Sequence, residues 1–224
     1  MADGPVSTLR RDAGIVGLVF VALMVGGFLV SRGTPAYDAP DVEWIEWFDD
    51  SGNRARLVIG VLAGVLASLA LVWFSVLVST LVHNRDSSRQ TASLLVLASG
   101  TVAAVLITVG SLIGGSMALA LTFALSFDEV PSAEVLKAVE RVGAAIWSIG
   151  GGWAAALFVA TVSRSVQGTG VLAGWLVTAG FVVAALLLLS FLLIPFALFP
   201  LWMLIVSVVL LSQGRARDGT RATN

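Results

Sequence analysis

Few side chains in this sequence could do chemistry, and their densest group, five of the fourteen acids, falls in one stretch, Asp41-Val42-Glu43-Trp44-Ile45-Glu46-Trp47-Phe48-Asp49-Asp50. On a helix beginning after Pro40, Glu43, Glu46 and Asp50 recur at spacings of three and four, so they gather on one face. Three carboxylates on one face offer oxygen ligands of the kind calcium takes. Such a face more often simply meets water, and the spacing is far from a calcium-loop pattern, so no metal site is expected. Trp44, Trp47, Ile45 and Phe48 sweep the other side. This predicts a short amphipathic helix lying flat at a membrane interface, rings at headgroup level and carboxylates in water. Trp44, Trp47, Glu43, Glu46 and Asp50 are therefore the candidate binding residues. Gly52-Asn53 is the expected stop of that helix.

The rest of the chain excludes more chemistry than it suggests. Cysteine is absent, which removes disulfides, thiolate nucleophiles and cysteine metal sites. A single histidine, His83, rules out a multi-histidine metal site, and it reads as an interfacial side chain rather than a proton switch. No nucleophile–base set is visible, so no catalytic residue and no cofactor are expected, and the chain reads as a non-enzyme.

The elements that must position these residues are membrane spans. The chain has 224 residues, 58% hydrophobic and 12% charged, with a mean hydropathy of +0.97. A soluble domain carries about twice that charged fraction. The reading is an all-α integral membrane six-helix bundle, with the amphipathic outer helix between spans 1 and 2. Spans are expected at about 13–31, 57–82, 92–125, 143–163, 171–192 and 197–213. The first apolar run reaches about 27 Å at about 1.5 Å per residue and lacks a good cleavage site, so it reads as an uncleaved span rather than a signal peptide. Outer loops fall at 32–56 and 128–142, a cytoplasmic segment at 1–12 and a cytoplasmic tail at 214–224. The run 91–127 is too long for one span, so it must tilt, project or break, with Gly114-Gly115-Ser116 the weak point. Ser132 is placed to cap a helix over the second outer segment. Val135, Leu136, Val139 and Val142 form its apolar stripe, with Lys137, Glu140 and Arg141 elsewhere, and it is expected to run straight into the fourth span.

Basic residues set the orientation. Arg10, Arg11, Arg85, Arg89, Arg164, Arg215, Arg217 and Arg221 fall on the side of the termini, against Arg32, Arg54, Arg56, Lys137 and Arg141 on the other. The positive-inside rule then puts both termini in the cytoplasm of a plasma-membrane protein. The outer side is acidic, which excludes nucleic acid as a partner there. Within the spans no Asp, Glu, Lys or Arg occurs, which argues against proton-coupled transport and cation-selective pores.

Gly110, Gly114, Gly150, Gly151 and Gly152 are read as helix-packing positions. The spacings Ala22-xxx-Gly26, Gly60-xxx-Gly64, Gly110-xxx-Gly114 and Gly170-xxx-Gly174 could build a homodimer face, but in a glycine-rich membrane chain they more often pack spans within one molecule. Gly-Val-Leu-Ala-Gly recurs at 60–64 and 170–174, a faint hint of an inverted repeat of the kind transporters use.

Two stretches carry a resemblance. Val42 to Asp50 is followed by Asn53-Arg54-Ala55-Arg56-Leu57 entering an apolar span, and Phe199-Pro200-Leu201-Trp202-Met203-Leu204-Ile205-Val206-Ser207-Val208-Val209-Leu210-Leu211 fills the last span. With the glycine-rich fourth span they resemble a family of small multi-pass membrane proteins of unknown function common in actinobacteria. The resemblance implies a bacterial plasma membrane and supplies no site residues. The functional expectation is a non-catalytic membrane protein acting through membrane lipids, apolar ligands or another membrane protein. The alternative is a small transporter of apolar or zwitterionic cargo.

Overall fold

The structure, a computed structural model, describes residues 4–85, 90–123, 129–169, 171–192 and 194–221. Expectations resting on Asp3, Asp86, Arg89, Asp128 and Gly170, on the third span beyond 123, or on the side chains of Arg85, Arg215, Arg217, Asp218 and Arg221 lie outside that description.

Among the described residues every regular element is helical. In order come α1 (Gly4–Val30), α2 (Asp41–Asp49), α3 (Ser51–Arg85), α4 (Gln90–Gly114), α5 (Ser116–Thr122), α6 (Ala133–Ala145), a π turn (Ile146–Gly150), α7 (Gly151–Val166), α8 (Gly174–Leu187), two 3₁₀ turns (Ser190–Leu192 and Ile194–Ala197) and α9 (Leu198–Arg221). Five stretches are long and apolar enough to cross a membrane: Val6–Val30, Ser51–Asn84, Gln90–Gly114, Ala133–Val166 and Pro195–Gln213. The protein is an integral, multi-pass membrane protein, with α2 set between its first two spans.

The fifth expected span, 171–192, is shorter than expected, while the sixth is met by Pro195–Gln213. α8 has 14 residues, about 21 Å of helix against an apolar core of about 30 Å. Past Leu187 the chain tightens into 3₁₀ turns around Pro195, which cannot donate to a helix ladder. Pro200 falls in the first turn of α9, where its missing N–H is harmless. Hydropathy stays high across this hairpin, so it carries no mark of how early the chain turns.

Neighbouring spans close into a ring in the order α1, α3, α4, α7, α8, α9 and back to α1. The inside of the ring is filled. Phe20, Phe74, Phe158, Phe196 and Phe199 meet edge to face or tilted, with Trp147 against Phe196 at 4.2 Å between ring centroids. Phe199 at the start of α9 meets Phe20, so the outer third of α1 has no α9 beside it.

Glycine sets the interhelical distances. A side chain on Gly143 would land on the backbone of Gly114 and lie 2.8 Å from the Gly110 carbonyl, and one on Gly110 would meet the backbone nitrogen of Trp147 at 2.5 Å. The Gly110-xxx-Gly114 spacing thus seats α6 and the π turn on α4 within one molecule. Serines fill the glycine niches elsewhere: Ser207 faces Gly17, Ser75 faces Gly100, Ser190 faces Gly152 and Ser163 faces Gly180. Gly151 lies close to Ile107, Gly150 touches Leu106 at ordinary contact distance, and Gly26 faces open space beside the exposed Ala22.

The long third run does break, at Gly115. α4 ends at Gly114 and α5 turns onto α3 and α6. Residues 133–166 form one uninterrupted helical rod with the π turn inside it.

Gly143→Val drives a branched side chain into backbone that cannot move aside. It should lower stability by at least about 2 kcal/mol, read as a lowered unfolding midpoint in detergent. Gly26→Ala, into open space, should be neutral or raise stability by up to about 1 kcal/mol.

Candidate functional site

The end of the bundle that carries α2, called outer after the orientation expected from the basic residues, has its own small core. Trp44 and Phe48 of α2 are buried against Val58 of α3, Ala118 of α5 and Ala133 and Leu136 of α6. Trp44 and Phe48, on the aromatic face of α2, therefore rest on protein, while Ile45 of the same face is exposed. Glu43 and Glu46 are exposed on the opposite side, and Trp47 is half-buried with its edge on Phe48. Asp50 has a structural task. Its Oδ1 accepts the Asn53 backbone N–H at 2.8 Å, capping α3, while its own backbone ends α2. Gly52 and Asn53 accordingly lie in the first turn of α3 rather than stopping α2. No group of three or more His, Asp or Glu side chains that could hold a metal ion occurs among the described residues.

The outer basic residues are held by the fold. Arg54 donates to the carbonyls of Phe48 and Asp49, the last of α2, at 2.6 and 2.8 Å. Arg56 donates to the carbonyls of Val30 and Arg32, at 3.1 and 2.8 Å, closing the end of α1. Cations there satisfy orphan carbonyls and meet the negative end of the helix dipole.

α6 turns its polar face to protein. Lys137 donates to the Ala39 carbonyl at 2.9 Å and pairs with Asp41 at 2.8 Å. Arg141 donates to the Tyr37 carbonyl at 3.3 Å and stands over the Tyr37 ring at 5.1 Å. Glu140, between them, stands beside Tyr37. Val135 and Val142, two members of the expected apolar stripe, are exposed. The expected stripe is therefore split: Leu136 is buried in the small core beneath α2 and Val139 is half-buried, while the two valines face outward.

These contacts frame a cleft of about 400 Å³. One wall is α1, with Met24, Gly27, Phe28 and Ser31. The floor is α3, with Leu57, Gly60, Val61 and Gly64. The other wall is α4, α6 and the π turn, with Ile107, Gly110, Ser111, Glu140, Ala144 and Trp147. Arg32, Thr34 and Tyr37 stand at the outer rim. The cleft exists because the α8–α9 hairpin turns back at the level of Trp147 and Trp153, whose indole donates to the Leu188 carbonyl at 3.0 Å. Above that level, among the described residues, no helix is set between α1 and α6. Glycines at 60, 64, 110 and 114 keep the walls thin. The volume lies within the 300–1,000 Å³ range of small-molecule sites.

Its two ends differ. The inner end is apolar, bounded by Met24, Val61, Ile107 and Trp147. The outer end carries Arg32, Tyr37 and Glu140. The Glu140 Oε2 is buried and has no hydrogen-bond partner among the described residues.

Trp44 organises this outer end from a distance. Its indole donates to the Ala36 carbonyl at 3.1 Å and its ring stacks on Tyr37, so α2 holds the loop that delivers Tyr37 to Glu140. Of the residues singled out in the sequence, Gly110 and Gly114 line the cleft, Trp44 positions its rim, and Glu43, Glu46, Trp47 and Asp50 stand apart from it. Glu140 and Tyr37 were missed as a pair. The available signal was a carboxylate three residues before Gly143, at the edge of a span.

No protein-family model, curated protein or solved structure matches the chain. The multi-pass character that the sequence resemblance implied is present in the five long apolar helices, and no family is assigned by it.

Tyr37 is held well above the usual phenol range, first by burial and then by the carboxylate of Glu140 beside it. It is the only tyrosine, so phenolate absorbance titrates one residue. A raised folded pKa means that this group's stabilising contribution is complete below about pH 10 and is lost as pH rises beyond it toward the folded pKa. The phenolate band should stay absent through about pH 10 while the protein is folded, and Glu140→Gln should bring its onset down.

Proposed function

We propose that this protein is a non-catalytic lipid-binding membrane protein whose outer cleft holds an apolar or amphipathic molecule taken from the surrounding leaflet. The observation that carries the reading is the cleft's polarity: apolar at depth, polar at the rim, and unwalled where the α8–α9 hairpin falls short. An amphiphile oriented like a membrane lipid meets both ends in register. The aromatic cluster fills the bundle beneath the cleft, which favours holding a molecule over passing one through. The single histidine lies at the far end of α3, away from the cleft, which supports a binding rather than a catalytic role.

The same reading places the cleft on the outside of a bacterial plasma membrane, with both termini cytoplasmic. Support comes from the arginines. Four of the outer cations, Arg54, Arg56, Lys137 and Arg141, are committed to backbone carbonyls or an ion pair, so their presence outside has a structural cause. The chain lacks cysteine, so single-cysteine variants label cleanly. Asp38→Cys should react with an impermeant maleimide on intact cells, and Asn84→Cys only after permeabilisation; the opposite pattern reverses the orientation.

Ala144 lines the cleft and is half-buried. Ala144→Phe should fill the space and reduce co-purifying lipid about tenfold, a loss of about 1.4 kcal/mol, with the unfolding midpoint little changed. Unchanged lipid content, measured by mass spectrometry of the detergent extract, would remove the cleft as the binding site.

A further inference from the structure

We infer that the cleft selects a phospholipid whose headgroup carries a primary amine, with Glu140 as the residue that reads the amine. The inference rests on the lipid-binding reading above and adds the headgroup to it.

Three observations converge. Glu140 lines the cleft from α6, one turn before the Gly143 contact, beside Tyr37, over whose ring Arg141 stands. Its Oε2 is buried and has no donor among the described residues. A buried acceptor without a donor is costly, and a donor brought by a ligand relieves that cost. Arg32 lines the rim of the same cleft, exposed and standing over the Phe28 ring at 5.2 Å, with no ion pair among the described residues.

The chemistry of these groups narrows the ligand. A carboxylate acceptor asks for an N–H or O–H donor with positive charge, and a primary ammonium supplies three. A quaternary ammonium carries the charge but no hydrogen to donate, so choline headgroups leave Oε2 unsatisfied. A guanidinium at the rim suits a phosphate. Phosphate, short linker and ammonium in one headgroup satisfy both charges, while the acyl chains lie against Met24, Val61 and Trp147. Anionic headgroups without an amine would put a second negative charge beside Glu140.

The test is native mass spectrometry of the full-length protein, titrated with phosphatidylethanolamine, phosphatidylcholine and phosphatidylglycerol of matched acyl chains. The wild type should retain the ethanolamine lipid about tenfold over the choline lipid, about 1.4 kcal/mol. Glu140→Gln should bring that ratio close to one. Arg32→Gln should weaken every phospholipid and leave the ratio in place. Equal retention of the three lipids by the wild type overturns the headgroup assignment and leaves lipid binding standing. Retention of none, with Oε2 served by water alone, overturns both. Because the wild-type ratio decides the matter by itself, a Glu140→Gln variant that fails to fold does not rescue the inference.

Discussion

Contact at glycine is the constraint on which this structure depends. Helices in a bilayer gain little by hiding apolar surface from apolar lipid, so their association rests on close packing and on polar groups satisfied between them. Here the closest approach is α4 against α6, where Gly143 sits on Gly114 and the Trp147 backbone sits on Gly110. That crossing fixes the rod formed by α6, the π turn and α7. It thereby fixes the direction in which Glu140, one turn earlier on the same helix, faces. The Gly–Ser niches repeat the device around the ring and bring buried hydroxyls into glycine gaps. Ser75 and Ser207 also return their hydroxyls to the carbonyls of Leu71 and Met203 in their own helices.

From this packing the cleft follows. A closed ring of equal helices would bury its interior over the full thickness of the membrane. This ring is closed only where α8 and α9 reach. The hairpin turns at the aromatic cluster, so the outer part of one wall is missing and the glycine-thinned faces of α1, α3, α4 and α6 are left around a space. The outer cap then gives that space a polar rim. α2 is clamped by Trp44 and Phe48 below and by the Asp41–Lys137 pair beside it. Its role is to hold the loop bearing Tyr37.

Much of this was legible in the sequence, and the remainder was hidden for definite reasons. Composition and uncharged apolar runs suffice for a multi-pass α-helical membrane protein, because lipid leaves few alternatives for a polar backbone. The short helix after Pro40 and the weakness at Gly114-Gly115 follow from local rules. The short hairpin does not, because apolar residues continue through its turn and prolines mark only its later part. The seating of α2 was half visible: the aromatic face was read correctly, but periodicity cannot say whether protein or lipid lies beneath it. α6 misleads further, since its polar face packs on the loop and two of its valines face out. The Tyr37–Glu140 pair depends on a loop and a helix about a hundred positions apart in sequence. Their neighbours Arg141 and Tyr37 are separated by 104 positions and meet only once α4 and α6 have closed on each other.

The central claim is that the outer cleft is a lipid site read by Glu140. The most direct measurement is an experimental density map of the protein in a native-lipid nanodisc, inspected between α1 and α6. The account predicts continuous density running from Trp147 to the rim, ending in a headgroup within hydrogen-bond distance of Glu140 Oε2. A cleft closed by α1 moving onto α6, or one holding only water with Oε2 hydrated, would contradict it.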